Sequence, residues 1–188
     1  GCLLHMYNYA VPSYVIAIIC TSNIRRSLFD VLKGHYLQVL SKLQKYQAKF
    51  SLEITVKDIG SLGQLVKILA SDCNLRLLKK LCVNIIEPLA EGITLKDFSE
   101  VLHHSFLTQS IEKLQISVSE RPLSSVEDLF KDIVSVYNAA PKLQHFILSY
   151  HNSRECKSLV KSAFERLRNQ YPCVDFEYEI NRERPSFE

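Results

Sequence analysis

The stretch PKLQHFILSY, residues 141–150, opens on a proline and sets Leu143, Phe146, Leu148 and Tyr150 at spaced positions, with mostly polar or small residues between them. Thirty residues later YPCVDFEYEI, residues 171–180, repeats the outline, with Phe176, Tyr178 and Ile180 alternating with Asp175, Glu177 and Glu179. Alternation with a period of two is the mark of a strand with one buried and one polar face.

Three earlier runs share the pattern: Leu52, Ile54, Val56; Leu81, Val83, Ile85; and Leu114, Ile116, Val118. The first members of the five runs, at 52, 81, 114, 146 and 176, are separated by 29, 33, 32 and 30 residues. Between them lie helically spaced sets, such as Phe98, Val101 and Leu102, or Leu159, Ala163, Phe164 and Leu167. The unit is therefore strand, helix, strand, repeated with a period near 31.

Alternating strands and helices imply a parallel sheet of the α/β class. A doubly wound sheet, covered on both faces, would bury Glu53, Gln115, Glu177 and Glu179 at heavy cost. One sheet face is thus expected to be bare of helices, which predicts a curved solenoid with every helix on the other face. Pro141 and Pro172 precede strands, where a helix has already ended. Ser124 or Ser125 before VEDLF, and Thr94 with Asp97 three residues on, are the expected helix caps.

The spacings Leu78-x-x-Leu81-x-Val83, Ile111-x-x-Leu114-x-Ile116 and Leu143-x-x-Phe146-x-Leu148 resemble leucine-rich repeats over roughly residues 48–181. The asparagine that usually follows the strand in that family is absent at Ile86 and Ser119, and His151 holds its place in the fourth repeat. NAAPKLQHFILSY further resembles the repeat junction of F-box proteins, with Ala140 where they carry cysteine. That resemblance implies a non-enzymatic interaction module, the substrate-recognition part of a ubiquitin ligase subunit. Its F-box would lie before Gly1, because none is legible within the chain. The alternatives are a repeat scaffold or sensor without a ubiquitin connection, and an α/β enzyme.

Residues 48–188 are thus expected to form the repeat domain and residues 1–47 an N-terminal capping or edge region. In the latter, 22–47 reads as helix with Gly34 as a candidate break, and Val15–Cys20 as a segment buried on both sides. The expected partner-binding surface is the polar strand face: Glu53 and Thr55, Asn84, Gln115 and Ser117, His145, Ile147 and Ser149, then Asp175, Glu177 and Glu179. The neighbouring tail NRERP is a candidate to offset those last three carboxylates.

Of 188 residues 47% are hydrophobic and 23% charged, a globular mixture, and the formal net charge of +3 is too balanced to imply nucleic acid or a membrane as partner. The longest apolar run, YVIAIIC at 14–20, is far below the roughly 20 residues that cross a bilayer. The first 20 residues lack the basic start of a signal peptide and are interrupted by Asn8 and Pro12. Six scattered cysteines without a CxxC pair read as reduced thiols of a cytoplasmic or nuclear protein.

Chemistry is harder to find. Glu100 with His103 and His104 has partial metal spacing but no second cluster. Cys156 lies among His151, Arg154 and Lys157, without a base and orienter. Gly60 and Gly63 lie after a strand and before a helix, but in neither phosphate-binding spacing, and read as a simple turn. The expectation is no catalytic site, no metal and no cofactor.

Overall fold

The computed structural model describes residues 2–8, 14–20, 26–69, 75–89, 93–103, 107–119, 125–151 and 156–181. Its strands are β1 (Cys2–Asn8), β2 (Tyr14–Cys20), β3 (Phe50–Val56), β4 (Leu78–Ile85), β5 (Lys113–Ser119), β6 (His145–His151) and β7 (Asp175–Asn181). The helices are α1 (Arg26–Lys45), α2 (Ile59–Leu69), α3 (Leu95–His103), α4 (Val126–Asn138) and α5 (Lys157–Gln170), with a 3-10 turn at Leu75–Leu77.

All seven strands form one sheet in sequential order, β1 to β7. β2 to β7 are parallel, with one register shift at Phe50/Ser51 where β3 meets β4, and β1 pairs antiparallel with β2. The sheet runs across the boundary at residue 47, because β2 lies beside β3 with Ile16 opposite Leu52 and Ile18 opposite Ile54. Two strands more than the periodic pattern predicts are present. β2 escapes a search for alternation because Ile16, Ala17 and Ile18 are all buried. Helix α1 continues through Gly34 without a break; a Cβ there would meet nothing, so the glycine weakens the helix locally without ending it.

The alternation becomes lateral stacking. Ile16, Leu52, Leu81, Leu114, Phe146 and Phe176 face one another in a single row across six strands, and Ile18, Ile54, Val83, Ile116, Leu148 and Tyr178 form the next. Both rows belong to the one hydrophobic core, together with Leu65, Phe98, Ile133 and Phe164 from the helices. Each helix packs on its successor, so the five stand in one row over this face. Ala17, Cys82 and Ile147 are buried yet lie outside that core, which places them on the opposite face.

Local chemistry starts the helices where the core needs them. Ser125 caps α4, its side chain accepting from Asp128 N–H at 3.1 Å. Thr94 and Asp97 start α3: Thr94 N–H donates to Asp97 Oδ2 at 2.7 Å, and Thr94 Oγ1 accepts from Lys96 N–H at 3.2 Å. Asp58 does the same work for α2, its Oδ1 accepting from Ser61 N–H at 2.7 Å. Arg166 ties α5 to α4 by pairing with Glu127 and lying over the Phe130 ring, 3.8 Å from its centroid.

Cys20 is disulfide-bonded, and the residue opposite it in the β1–β2 ladder is Cys2. The expectation of reduced cysteines therefore fails at this position, and with it the redox argument for a cytoplasmic or nuclear location. That Cys20 is bonded was invisible in the spacing, since the fold decides which cysteines meet. Cys82, Cys156 and Cys173 are free, the first two buried. Among the described residues no helix is long and apolar enough to cross a membrane.

Candidate functional site: the polar sheet face

Strand register gathers the predicted residues into lateral rows. Ser51, Lys80, Lys113, His145 and Asp175 form one; Glu53, Cys82, Gln115, Ile147 and Glu177 the second; Thr55, Asn84, Ser117, Ser149 and Glu179 the third. Adjacent members stand about 4.8 Å apart across the sheet, and rows about 7 Å apart along it. Side chains separated by 30 residues thereby become one surface.

The face is less solvated than its composition suggests. Glu53, Asp175, Glu177 and Glu179 are exposed, while Asn84, Gln115 and His145 are half-buried. Thr55, Ser117, Ile147 and Ser149 are buried, Ser149 retaining 3% of its surface. Short side chains at strand spacing are shaded by longer lateral neighbours, so the third row is a packed polar seam. Its members bond sideways. Asn84 Nδ2 donates to Thr55 Oγ1 at 3.3 Å, and Ser117 Oγ shares a hydrogen bond of 2.7 Å with His151 Nε2. Ser119 Oγ donates to Ile86 O at 3.3 Å, securing the next turn.

Charge is graded along the first row, from Lys80 and Lys113 to Asp175, while the second carries a carboxylate at each end, Glu53 and Glu177. His145 stands at the junction, with Nε2 3.2 Å from Glu177 Oε2 and 3.7 Å from Asp175 Oδ2. The tail segment 182–185, expected to offset these carboxylates, lies outside the described residues. These three side chains also bring donor atoms within 4.8 Å of one another, a set that could hold a metal ion. The expectation of no ligand set missed it because its members come from two strands. Both carboxylates are open to solvent, and exposed acidic groups commonly gather in this way without an ion.

Cys82, in the middle of the face, has its thiol pushed up to about 11 by burial and by Glu53, with Lys80 and Lys113 acting in the opposite sense. It stays protonated and unreactive near neutrality.

The other candidates do not converge. Glu100 and His103 are exposed on α3, and His104 lies outside the described residues. Cys156 is buried at the start of α5 and makes no side-chain cap bond, Lys157 is exposed, and Arg154 lies outside the described residues. Gly60 and Gly63 line a cavity of about 750 Å³ beside Asp58.

No family model matches the chain, nor does any curated protein. Among solved structures it is similar to the adenylation domain of a carboxylate reductase from Mycobacterium chelonae, with 12% identity and a TM-score of 0.30. The match covers 94% of this chain and 24% of that one, so the chain spans about a quarter of that protein's length. A likeness of this degree says nothing about activity.

Proposed function

We propose that the chain is a non-enzymatic protein-recognition module, a degenerate leucine-rich-repeat-like solenoid that receives its partner on the polar sheet face. The observation that carries this reading is the sequential strand order with the five helices in one row, which leaves Glu53, Gln115, His145, Glu177 and Glu179 on a face that no helix among the described residues covers. A rigid sheet presenting mixed side chains at fixed spacing suits recognition of an extended protein surface. The acidic strand β7 favours a partner with basic residues at that end.

The alternative of an α/β enzyme draws no support from this topology. Doubly wound enzymes bind where strand order reverses, and no reversal occurs here. Between an F-box-type ligase subunit, with an adaptor bound upstream of Gly1, and a scaffold or sensor without a ubiquitin connection, the disulfide at Cys20 favours the second. Disulfides persist in oxidising compartments and are rare in the cytosol, where ubiquitin ligases work.

The test is site-specific photo-crosslinking from native extract, with the probe at Gln115 on the sheet face or at Lys161 on the exposed side of α5. Partner adducts are expected from position 115 only. Adducts from 161 alone would place recognition on the helices and overturn the reading. A ligase adaptor among partners of the full-length protein would restore the ubiquitin reading over the scaffold one.

A further inference from the structure

We infer that the cavity beside the carboxyl ends of β3 and β4, between α2 and α3, binds a small organic cation: a protonated amine carried on an apolar body. The site is distinct from the polar sheet face, since it lies on the helix side of the sheet.

The space originates in the sequence of α2. IGSLGQLVKIL places Gly60, Gly63, Val66 and Lys67 on one side of the helix, and all four line the cavity. A glycine inside a helix weakens it relative to alanine. No close neighbour demands the absence of a side chain: a Cβ at Gly63 would meet nothing within 4 Å, and one at Gly60 only Asp58 Oδ1 at 3.4 Å. The glycines hold open a volume of about 750 Å³, within the range of small-molecule sites.

The lining selects the ligand's chemistry. Ile85, Pro88, Leu89, Ile93 and Val101 supply apolar walls. Four carboxylates, Asp58, Glu87, Asp97 and Glu100, stand against one ammonium, Lys67, in a chain whose net charge is +3. Glu87 is shared with Lys57 at 3.6 Å, a half-exposed pair that offsets little. Glu100 makes no ion pair among the described residues.

An anion is disfavoured for a further reason. The amino end of α2, where a phosphate would dock, already holds the Asp58 carboxylate on Ser61 N–H. Beside apolar walls, carboxylates attract an ammonium more strongly than they do in water.

The test uses three probes with one apolar body and different charge: 3-phenylpropylammonium, 3-phenylpropanol and 3-phenylpropanoate. Their binding to the full chain is followed by amide chemical shifts. The expected order is cation, alcohol, carboxylate, with shifts centred on Gly63, Val66 and Val101. Glu87→Gln with Glu100→Gln should weaken the cation on the order of tenfold and leave the alcohol unchanged. Gly63→Leu should abolish binding of all three while melting at or above the wild-type temperature, because the helix gains propensity and the new side chain has room. Equal binding of cation and alcohol, tightest binding of the carboxylate, no binding of any probe, or undiminished binding to a folded Gly63→Leu variant would each overturn the assignment. Partner crosslinking at Gln115 is untouched by any of these results, so the two sites stand or fall separately.

Discussion

His145 on β6 and Glu177 on β7 are 32 positions apart in the chain and 3.2 Å apart in the fold, imidazole Nε2 to carboxylate Oε2. The imidazole is the neighbour against which the β7 carboxylates gather, and Glu179, one row further, opposes Ser149. The acidic end of the sheet face therefore keeps carboxylates available to a partner.

Reversing Glu177 and Glu179 to Lys should slow association with the native partner and flatten its salt dependence, with little change in melting temperature. Association rates measured across an ionic-strength series check this. Retention of wild-type rates and salt sensitivity would remove β7 from the binding surface.

The two sides of one strand should respond differently to truncation. Leu114→Ala is expected to cost about 2–5 kcal/mol, because Leu114 is fully buried in the row from Ile16 to Phe176. Gln115→Ala, one residue on and half-buried on the polar face, should lie within about 0.5 kcal/mol. Ser117→Ala falls between, at about 1 kcal/mol, through loss of the bond to His151. Urea titrations that rank Gln115 with Leu114 would mean that both faces are packed.

Asp132 on α4 has its carboxyl pushed up to about 6, first by burial and then by Asp128 and Asp97. A carboxyl that holds its proton more tightly when folded loses stability for the protein as pH rises from its unfolded value near 4 through 6. Asp132→Asn should therefore melt above wild type at pH 7, with the difference closing by pH 4. An equal offset at both pH values would assign the effect to packing.

Thiol chemistry should separate the cysteines. Alkylation at pH 7.5 is expected to label exposed Cys173 quickly and buried Cys82 and Cys156 only with unfolding. Peptide mapping over time reads both. Reduction, or Cys20→Ser, should lower the melting temperature by releasing the disulfide that Cys20 makes from β2.

Local residue chemistry alone determined the repeating unit. Backbone stereochemistry sends Leu114 and Ile116 to one side and Gln115 and Ser117 to the other wherever a strand forms, so alternation every 31 residues or so already announced β3 to β7 and their polar face. Ser125 and Thr94 announced their helices for the same reason, since a cap acts within three or four residues. β2 was hidden because burial on both faces erases alternation, leaving YVIAIIC as an apolar run that strand and helix share. Register decided the rest. Which side chain stands opposite which is set by hydrogen bonding between strands some thirty residues apart, and only that ladder brings His145 to Glu177 and Ser117 to His151, or places Cys20 across from Cys2. The cavity belongs to the same class: Gly60 and Gly63 read as a turn until α2 extends through them and α3 supplies the facing wall, because empty volume is a property of two packed elements and of neither sequence by itself.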